Sequence, residues 1–394
     1  MARPLDGQQD PLHIFSEFDD PLRQQLVHKI VEDDKWLRVI PRQNLYALWF
    51  SDLDVLQKMA NAQTAQEREI RRRALRRVVA QYDVPRIWAS EGHTNTTSRA
   101  EALPGSASSS RLPWPGLRER SRSRSPNVRS PTAAAATRER SQSSASVWRE
   151  AREEEKKTVD LASESGTRDD HQCVVTKRGL PLIESVHILS KKLNGTKDEN
   201  PIAFDCWDWL KDFWGEEKVG KLRSLLLSEG TMDMERLYNR ITLEVHVHRY
   251  WDRAQIALHP IWVSEDRTEM QISFHWLPLK ENMPGAAKHN RTDLISTSEN
   301  PYQDPKYRPR ETPGRNNVIF NTETGARISS GYVFTVKTDN KDERPLPSME
   351  LLELRWHLSR IAHMQGAAED EDSDYESDNG SVSVRLGSRS TIKE

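Results

Sequence analysis

Two stretches decide the folding pattern of the chain, CVVTKRGLPLIESVHILS (residues 173–190) and NRITLEVHVHRYWD (residues 239–252). In the first, CVVT has the composition of a short strand, residues 177–181 contain a glycine and a proline, and LIESVHIL is again strand-like. This order predicts a β-hairpin with His187 near the end of its second strand.

The second stretch is most economically interpreted as a loop that carries Asn239, followed by a short helix that starts near His246. On this helix His248 and Asp252 are four residues apart, so they lie on the same face. Together with His187, the two stretches therefore supply imidazole, amide and carboxylate groups, which are groups that bind cations or move protons.

Composition bounds what surrounds these stretches. Of 394 residues, 35% are hydrophobic and 30% are charged, so much of the chain must be solvated or disordered. The net charge of -2 averages over a basic middle and an acidic end, and only local charge is informative. Two cysteines, Cys173 and Cys206, are too few for a disulfide framework or a four-thiolate zinc site, which indicates a reducing compartment. Cys173 is interpreted as a small buried hydrophobe.

The location of the protein is predicted from missing patterns. No apolar run approaches the roughly 20 residues that a helix needs to span a bilayer. The first residues, MARPLDGQQDPLH, lack the apolar stretch of a secretory signal. We therefore expect an intracellular protein, in the nucleus or the cytoplasm, that is not secreted and has no membrane partner.

Residues 1–89 are predicted to form a helical N-terminal region. Asp20 and Pro21 make an N-cap and first-turn pair, and a longer helix is expected between Gln43 and Tyr82. A basic cluster lies near the end of that helix: Arg71, Arg72, Arg73, Arg76 and Arg77. The cluster either binds nucleic-acid phosphates without recognising sequence or forms the solvated face of a helix.

Residues 90–166 are predicted to be a disordered linker rich in Arg, Ser and Pro. The segment includes RERSRSRSPNVRSP (residues 118–131) and has no hydrophobic periodicity. It is either a tether that targets the nucleus or contacts nucleic acid, or a plain flexible linker. Residues 367–394, with the acidic run EDEDSDYESD (residues 369–378), are predicted to be a disordered tail.

Residues 167–366 hold most of the information for a folded core. FDCWDWLKDFWG (residues 204–215) predicts a helix whose aromatic side chains recur at helical spacing and form core. A polar stretch at 284–328 is expected to be an insertion loop. Strands are predicted at 255–263, 270–277 and 331–337, and a closing helix after Pro347. Helices and strands mixed in this way indicate the α+β class.

These residues resemble the HNH endonuclease superfamily. The order C-x-x-T, V-H-I, N-x-x-x-L and H-x-x-x-D, from Cys173 to Asp252, is similar more narrowly to a subgroup found in many fungal proteins. ALHPI, SGYVF and PLPSMELLELRWHLSRIAHMQG further along are similar to it as well. The resemblance covers residues 167–366 and implies a ββα-metal (HNH-like) motif, a β-hairpin packed on a helix, embedded in an extended mixed domain.

The resemblance also implies a function. It implies an endonuclease that hydrolyses phosphodiester bonds in nucleic acid, DNA more than RNA, with one divalent metal ion (Mg²⁺, Mn²⁺ or Zn²⁺). His187 would be the general base, and His248 a metal ligand. Asn239 would bind the metal or orient His187, and Asp252 would be a further metal ligand or a hydrogen-bond partner at the helix end. Many family members carry Asp where this chain has Val186. The alternative is a non-catalytic interaction or scaffold protein that retains the HNH-like fold.

Overall fold

The computed structural model describes seven parts of the chain: residues 14–79, 84–89, 149, 152–153, 156–277, 294–297 and 318–365. The predicted linker (90–166) lies largely outside the described residues, as do the tail (367–394) and most of the insertion (284–328). Helices and strands mix along the described part, which confirms the α+β class. No helix in that part is long and apolar enough to cross a membrane.

The N-terminal region is helical, as predicted. Helix α1 (Pro21–Glu32) begins at the predicted cap, because the Asp20 carboxylate accepts backbone hydrogen bonds from Leu22 and Arg23. The single longer helix expected between Gln43 and Tyr82 is wrong. A short strand and four helices follow α1: β1 (Val39–Pro41), α2 (Arg42–Phe50), α3 (Leu53–Ala60), α4 (Ala65–Arg76) and α5 (Val84–Ala89).

Helix α4 begins at a capping box, which explains part of this break. Thr64 Oγ1 accepts the Glu67 backbone N–H at 3.1 Å, and the Glu67 carboxylate accepts the Thr64 N–H at 2.9 Å. We expect Thr64→Ala to lower the free energy of unfolding by about 1 kcal/mol in urea denaturation. Gln66→Ala, in the exposed first turn of the same helix, is the matched control, and an equal loss in both variants would contradict the capping role.

The hairpin forms with a different partner strand. CVVT (173–176) was predicted to be a strand but forms a turn, closed by the Cys173 N–H that donates to the Arg178 carbonyl at 2.8 Å. Strand β2 (Ile183–His187) pairs instead with β5 (Arg240–Glu244), antiparallel, with His187 opposite Arg240. The loop predicted before the short helix is therefore wrong, and helix α9 (Val245–Asp252) follows β5 directly.

The long connection between β2 and β5 contains the predicted aromatic helix. Helix α7 (Pro201–Trp214) has Pro201 in its first turn and ends at Gly215, whose φ of 80° suits a residue without a Cβ. Three further elements complete the connection: α8 (Glu216–Leu226), β3 (Leu227–Ser228) and β4 (Thr231–Met232).

A three-stranded antiparallel sheet follows α9. The predicted strands are confirmed as β6 (Ile256–Val263), β7 (Glu269–Trp276) and β9 (Tyr332–Lys337), in the order β6-β7-β9. The closing helix is also confirmed, as α10 (Met349–Met364), which packs on β6 and α5. Strand β8 (Leu294–Ser296) pairs with β1.

Residues 156–168 form a helix, α6, inside the stretch predicted to be linker up to residue 166. Its contacts with β5 are polar, which explains why the sequence lacks an apolar stripe there. Ser165 Oγ and Thr242 Oγ1 are 3.3 Å apart, and Arg168 Nη2 donates to the Arg240 carbonyl at 2.9 Å.

The described residues before and after the linker share one hydrophobic core. Two buried contacts join them. Trp209 Nε1 on α7 donates to the Asn44 side chain on α2 at 2.8 Å, and Arg360 on α10 donates to the Ile14 carbonyl at 2.9 Å. The N-terminal helices therefore support the elements that carry the candidate site.

Candidate active site

The predicted site residues lie on or beside the ribbon that β2 and β5 form. His187 ends β2, and Asn239 directly precedes β5. His248 and Asp252 lie on α9, one turn apart. Helix α9 contacts both strands of the ribbon, so all four residues belong to one local structure.

Strand alternation separates these residues into two clusters. Glu184 is the β2 residue that contacts His248, and it lies three residues before His187. Side chains alternate along a strand, so Glu184 and His187 point to opposite faces, about 10 Å apart along the chain. Helix α6 contacts Thr242, which pairs with Ser185 on the His187 face. The ribbon is therefore enclosed by α9 on one face and α6 on the other.

The first cluster joins His187 to a buried ion pair. His187 Nε2 lies 3.2 Å from Glu235 Oε2, and Arg240 Nη2 contacts the same oxygen at 2.5 Å. Burial by itself would raise the pKa of Glu235, but the hydrogen bonds from His187 and Arg240 outweigh it and lower the pKa to about 2. The carboxylate is therefore ionised near neutral pH, and it favours the tautomer of His187 that carries a proton on Nε2.

Asn239 is buried and its amide bonds to backbone groups. Its Oδ1 accepts the Leu189 N–H at 2.9 Å, and its Nδ2 donates to the carbonyls of Leu189 and Met234, each at 3.0 Å. These bonds tie the chain that follows His187 to the loop before β5. Of the two roles predicted for Asn239, this arrangement favours orientation over metal binding.

The second cluster places a carboxylate against each ring nitrogen of His248. Nδ1 lies 2.6 Å from Glu184 Oε2, and Nε2 lies 3.3 Å from Asp252 Oδ2. The His248 ring is buried, with 5% of its side chain exposed. Arg355 Nη2 approaches the other Asp252 oxygen at 3.6 Å and balances part of its charge.

A divalent cation fits part of the predicted ligand set. Two ligands about 2.1 Å from one ion lie roughly 3.0 to 3.4 Å apart, so the 3.3 Å between His248 Nε2 and Asp252 Oδ2 suits a shared cation. Asn239 does not fit, because its amide oxygen is already bonded to Leu189. Within the described ranges there is no group of three or more His, Cys, Asp or Glu placed to hold a metal. Glu184 and Asp252 lie against different nitrogens of one ring.

The basic cluster at the end of α4 is divided between the core and the surface. Arg71 is buried and donates to the Met59 carbonyl at 3.0 Å, Arg72 pairs with Asp34, and Arg77 pairs with Asp212. Arg73 and Arg76 are exposed. Three of the five arginines therefore stabilise the N-terminal helices, and Arg73 and Arg76 offer charge to an anionic partner.

Cys173 lies beneath the turn that replaces the predicted strand. Its side chain is fully buried, and burial raises the pKa of its thiol. Its sulfur accepts a hydrogen bond from the Thr176 N–H at 3.4 Å. The interpretation of Cys173 as a small buried hydrophobe is confirmed.

Residues 173–259 match the family model described as HNH endonuclease. The matched segment belongs to the HNH endonuclease superfamily. It begins at Cys173 and contains β2, β5 and α9, and therefore both histidine clusters. No curated protein and no solved structure matches the chain. The narrower similarity to a fungal subgroup stays a prediction.

Two carboxylates of this HNH segment were missed by sequence reasoning. Glu184 lies two residues before Val186, hence on the same face of β2, and the alternation of LIESVHIL could have indicated this. Glu235 lies in the loop before Asn239, and its contact with His187 depends on long-range packing that local sequence does not reveal.

Proposed function

We propose that the chain is a metal-dependent HNH endonuclease that hydrolyses phosphodiester bonds in nucleic acid. The observation that carries the proposal is His248, held between two carboxylates on the helix of the HNH segment. A neutral imidazole and a carboxylate one helical turn apart are ordinary ligands of divalent cations.

His248 and Asp252 would hold the cation, with Mg²⁺, Mn²⁺ or Zn²⁺ as candidates. A cation bound there would polarise the phosphate and stabilise the charge that develops on the leaving oxygen. Arg355, buried and bonded to the carbonyls of Trp88 and Trp251, holds Asp252 from its other oxygen. The carboxylate is thereby fixed toward the His248 ring.

His187 is the proposed general base. With the Nε2 proton held by Glu235, the neutral ring takes up a proton at Nδ1. The ionised Glu235 stabilises the imidazolium that results, as an acidic partner does in other histidine bases. Asn239 fixes the backbone directly after His187, so its proposed role is to position the base.

We propose that the substrate is DNA more than RNA, and that the protein acts in the nucleus or the cytoplasm. The exposed Arg73 and Arg76 would add phosphate contacts. We expect the double variant Arg73→Ser with Arg76→Ser to reduce the slope of log binding constant against log salt by about 2 for duplex DNA. Lys58→Ser with Lys221→Ser is the matched control for lost surface charge. An equal change in both pairs would refute a specific role for the two arginines.

A second candidate function is a non-catalytic interaction protein built on the HNH scaffold. The observation that favours it is the separation of His187 from His248 on opposite faces of the ribbon. His187 is also only 4% exposed, so a phosphodiester could reach it only after a local movement.

A plasmid-nicking assay with Mg²⁺ or Mn²⁺ separates the two candidates. The nuclease proposal predicts that the full chain converts supercoiled plasmid to the nicked form, that EDTA abolishes the conversion, and that His248→Ala lowers it strongly. DNA binding without nicking under each cation, with wild-type folding, would favour the scaffold function.

A further inference from the structure

We infer that Glu184 is the positioning residue that orients His248 for cation binding, and the inference rests on the proposed function. Glu184 Oε2 and His248 Nδ1 are 2.6 Å apart, which is short for a contact between nitrogen and oxygen and typical of a charge-assisted hydrogen bond. Nδ1 therefore donates, because an ionised carboxylate only accepts.

This bond selects the nitrogen that remains for a ligand. A neutral imidazole with its proton on Nδ1 has its lone pair on Nε2, and Nε2 faces Asp252 Oδ2 at 3.3 Å. Two acceptors at this distance repel each other unless a positive charge lies between them. The contact with Glu184 thus prepares a place for a cation between His248 and Asp252.

The location of Glu184 on β2 explains why it can take this role. Glu184 and Val186 share the face that meets α9, but Val186 is fully buried in the core. A carboxylate at residue 186 would lie among apolar side chains, whereas 42% of the Glu184 side chain is exposed. Glu184 therefore keeps its charge at low cost and supplies the acidic group that Val186 lacks.

Glu184 acts through His248 and is not itself a ligand in this arrangement. It contacts Nδ1, and the proposed cation lies at Nε2 on the opposite edge of the ring. Carboxylates that bond the second nitrogen of a metal-binding histidine fix its tautomer and its orientation, and their loss typically lowers metal affinity about 10- to 100-fold.

The test is Mn²⁺ binding to the full chain, measured by calorimetry. We expect Glu184→Ala to raise the dissociation constant about 10- to 100-fold, and Glu184→Gln, which keeps an acceptor oxygen, to raise it less. Glu269→Ala removes a carboxylate that pairs with Lys337 on the β6-β7-β9 sheet, and it should bind Mn²⁺ as wild type does. Urea denaturation of each variant measures any loss of folding.

A second readout follows the His248 ring directly. In protein labelled with ¹⁵N-histidine and loaded with Zn²⁺, the nitrogen shifts of His248 should report metal on Nε2 and a proton on Nδ1. In Glu184→Ala this single tautomer should be lost, whereas a merely structural contact would leave it unchanged.

The outcomes separate the two proposals. If wild type binds Mn²⁺ and Glu184→Ala binds it equally well, or keeps the tautomer, the role of Glu184 is refuted and the nuclease proposal stands. If wild type binds no Mn²⁺, the proposed function fails and the inference fails with it. Weakened binding in Glu184→Ala, partly restored in Glu184→Gln, supports the inference.

Discussion

Replacing His187 with alanine should slow phosphodiester hydrolysis by about 10²- to 10⁴-fold, the usual contribution of a general base. Mn²⁺ affinity should stay at the wild-type value, because His187 and His248 belong to separate clusters. The fold should survive as well, since Glu235 keeps its ion pair with Arg240. The rate of plasmid nicking and the calorimetric dissociation constant measure the two effects.

The control for this variant is His28→Ala, which removes an exposed histidine from α1. It should nick plasmid and bind Mn²⁺ as wild type does. Nicking by His187→Ala at the rate of this control would contradict the role of His187 as the base. Loss of Mn²⁺ binding in His187→Ala would contradict the separation of the two clusters.

Acidification should destabilise the fold by several kcal/mol between pH 6.5 and pH 4. The physical reason is a group of buried histidines near Trp356 and Arg360. Burial, reinforced by the charge of Arg360, lowers the pKa of His259 to about 4. Burial, with His259 and Arg360 nearby, lowers the pKa of His275 to about 3. The pKa of His357 is also well below its ordinary value, because the side chain is buried and faces Arg360.

The sign of the effect follows from proton uptake. In the unfolded chain these histidines take up a proton near pH 6.5, but in the folded protein His259 does so only near pH 4. The unfolded state therefore binds more protons between these values, and stability falls as the pH falls. The gap for His259 alone corresponds to about 3 kcal/mol. Asp212 opposes the trend, because burial raises its pKa to about 6 despite the charge of Arg77, but it is one group against three.

Urea denaturation at pH 6.5 and at pH 4 measures the loss. His259→Gln should reduce the pH dependence, because the glutamine side chain takes up no proton. His28→Gln, at an exposed site, should leave the pH dependence unchanged. An equal pH dependence in wild type and in His259→Gln would contradict the role of the buried histidine.

Elements with a strong local pattern could be predicted from the sequence. Helix α7 follows from aromatic residues at helical spacing between Asn200 and Gly215, and β7 from the alternation of Met270, Ile272 and Phe274. The start of α1 follows from Asp20 and Pro21, whose chemistry is local.

Strand β5 shows why other elements could not be predicted. Its residues, RITLE (240–244), alternate between polar and apolar, which is a strand pattern, yet the partner strand lies more than 50 residues earlier in the chain. CVVT is close in sequence to β2 and has strand-like composition, so it seemed the better partner. Strand pairing is set by packing of the whole fold, and the local pattern does not identify the partner.

The candidate site was predicted in its histidines and missed in its acids. His187 and His248 stand in a recognisable order, whereas Glu184 and Glu235 contact them only through the fold. The arginines of α4 show the reverse case. Their run indicated one charged surface, but Arg71 and Arg77 face buried or half-buried partners that the sequence alone does not reveal.

The measurement that tests the central claim most directly is a crystal structure of the Mn²⁺-soaked protein with anomalous difference density for manganese. We predict one peak about 2.0 to 2.3 Å from both His248 Nε2 and Asp252 Oδ2, with Glu184 still bonded to Nδ1. A peak at Asn239 or at the Glu235 carboxylate, or no peak beside His248, would contradict this account.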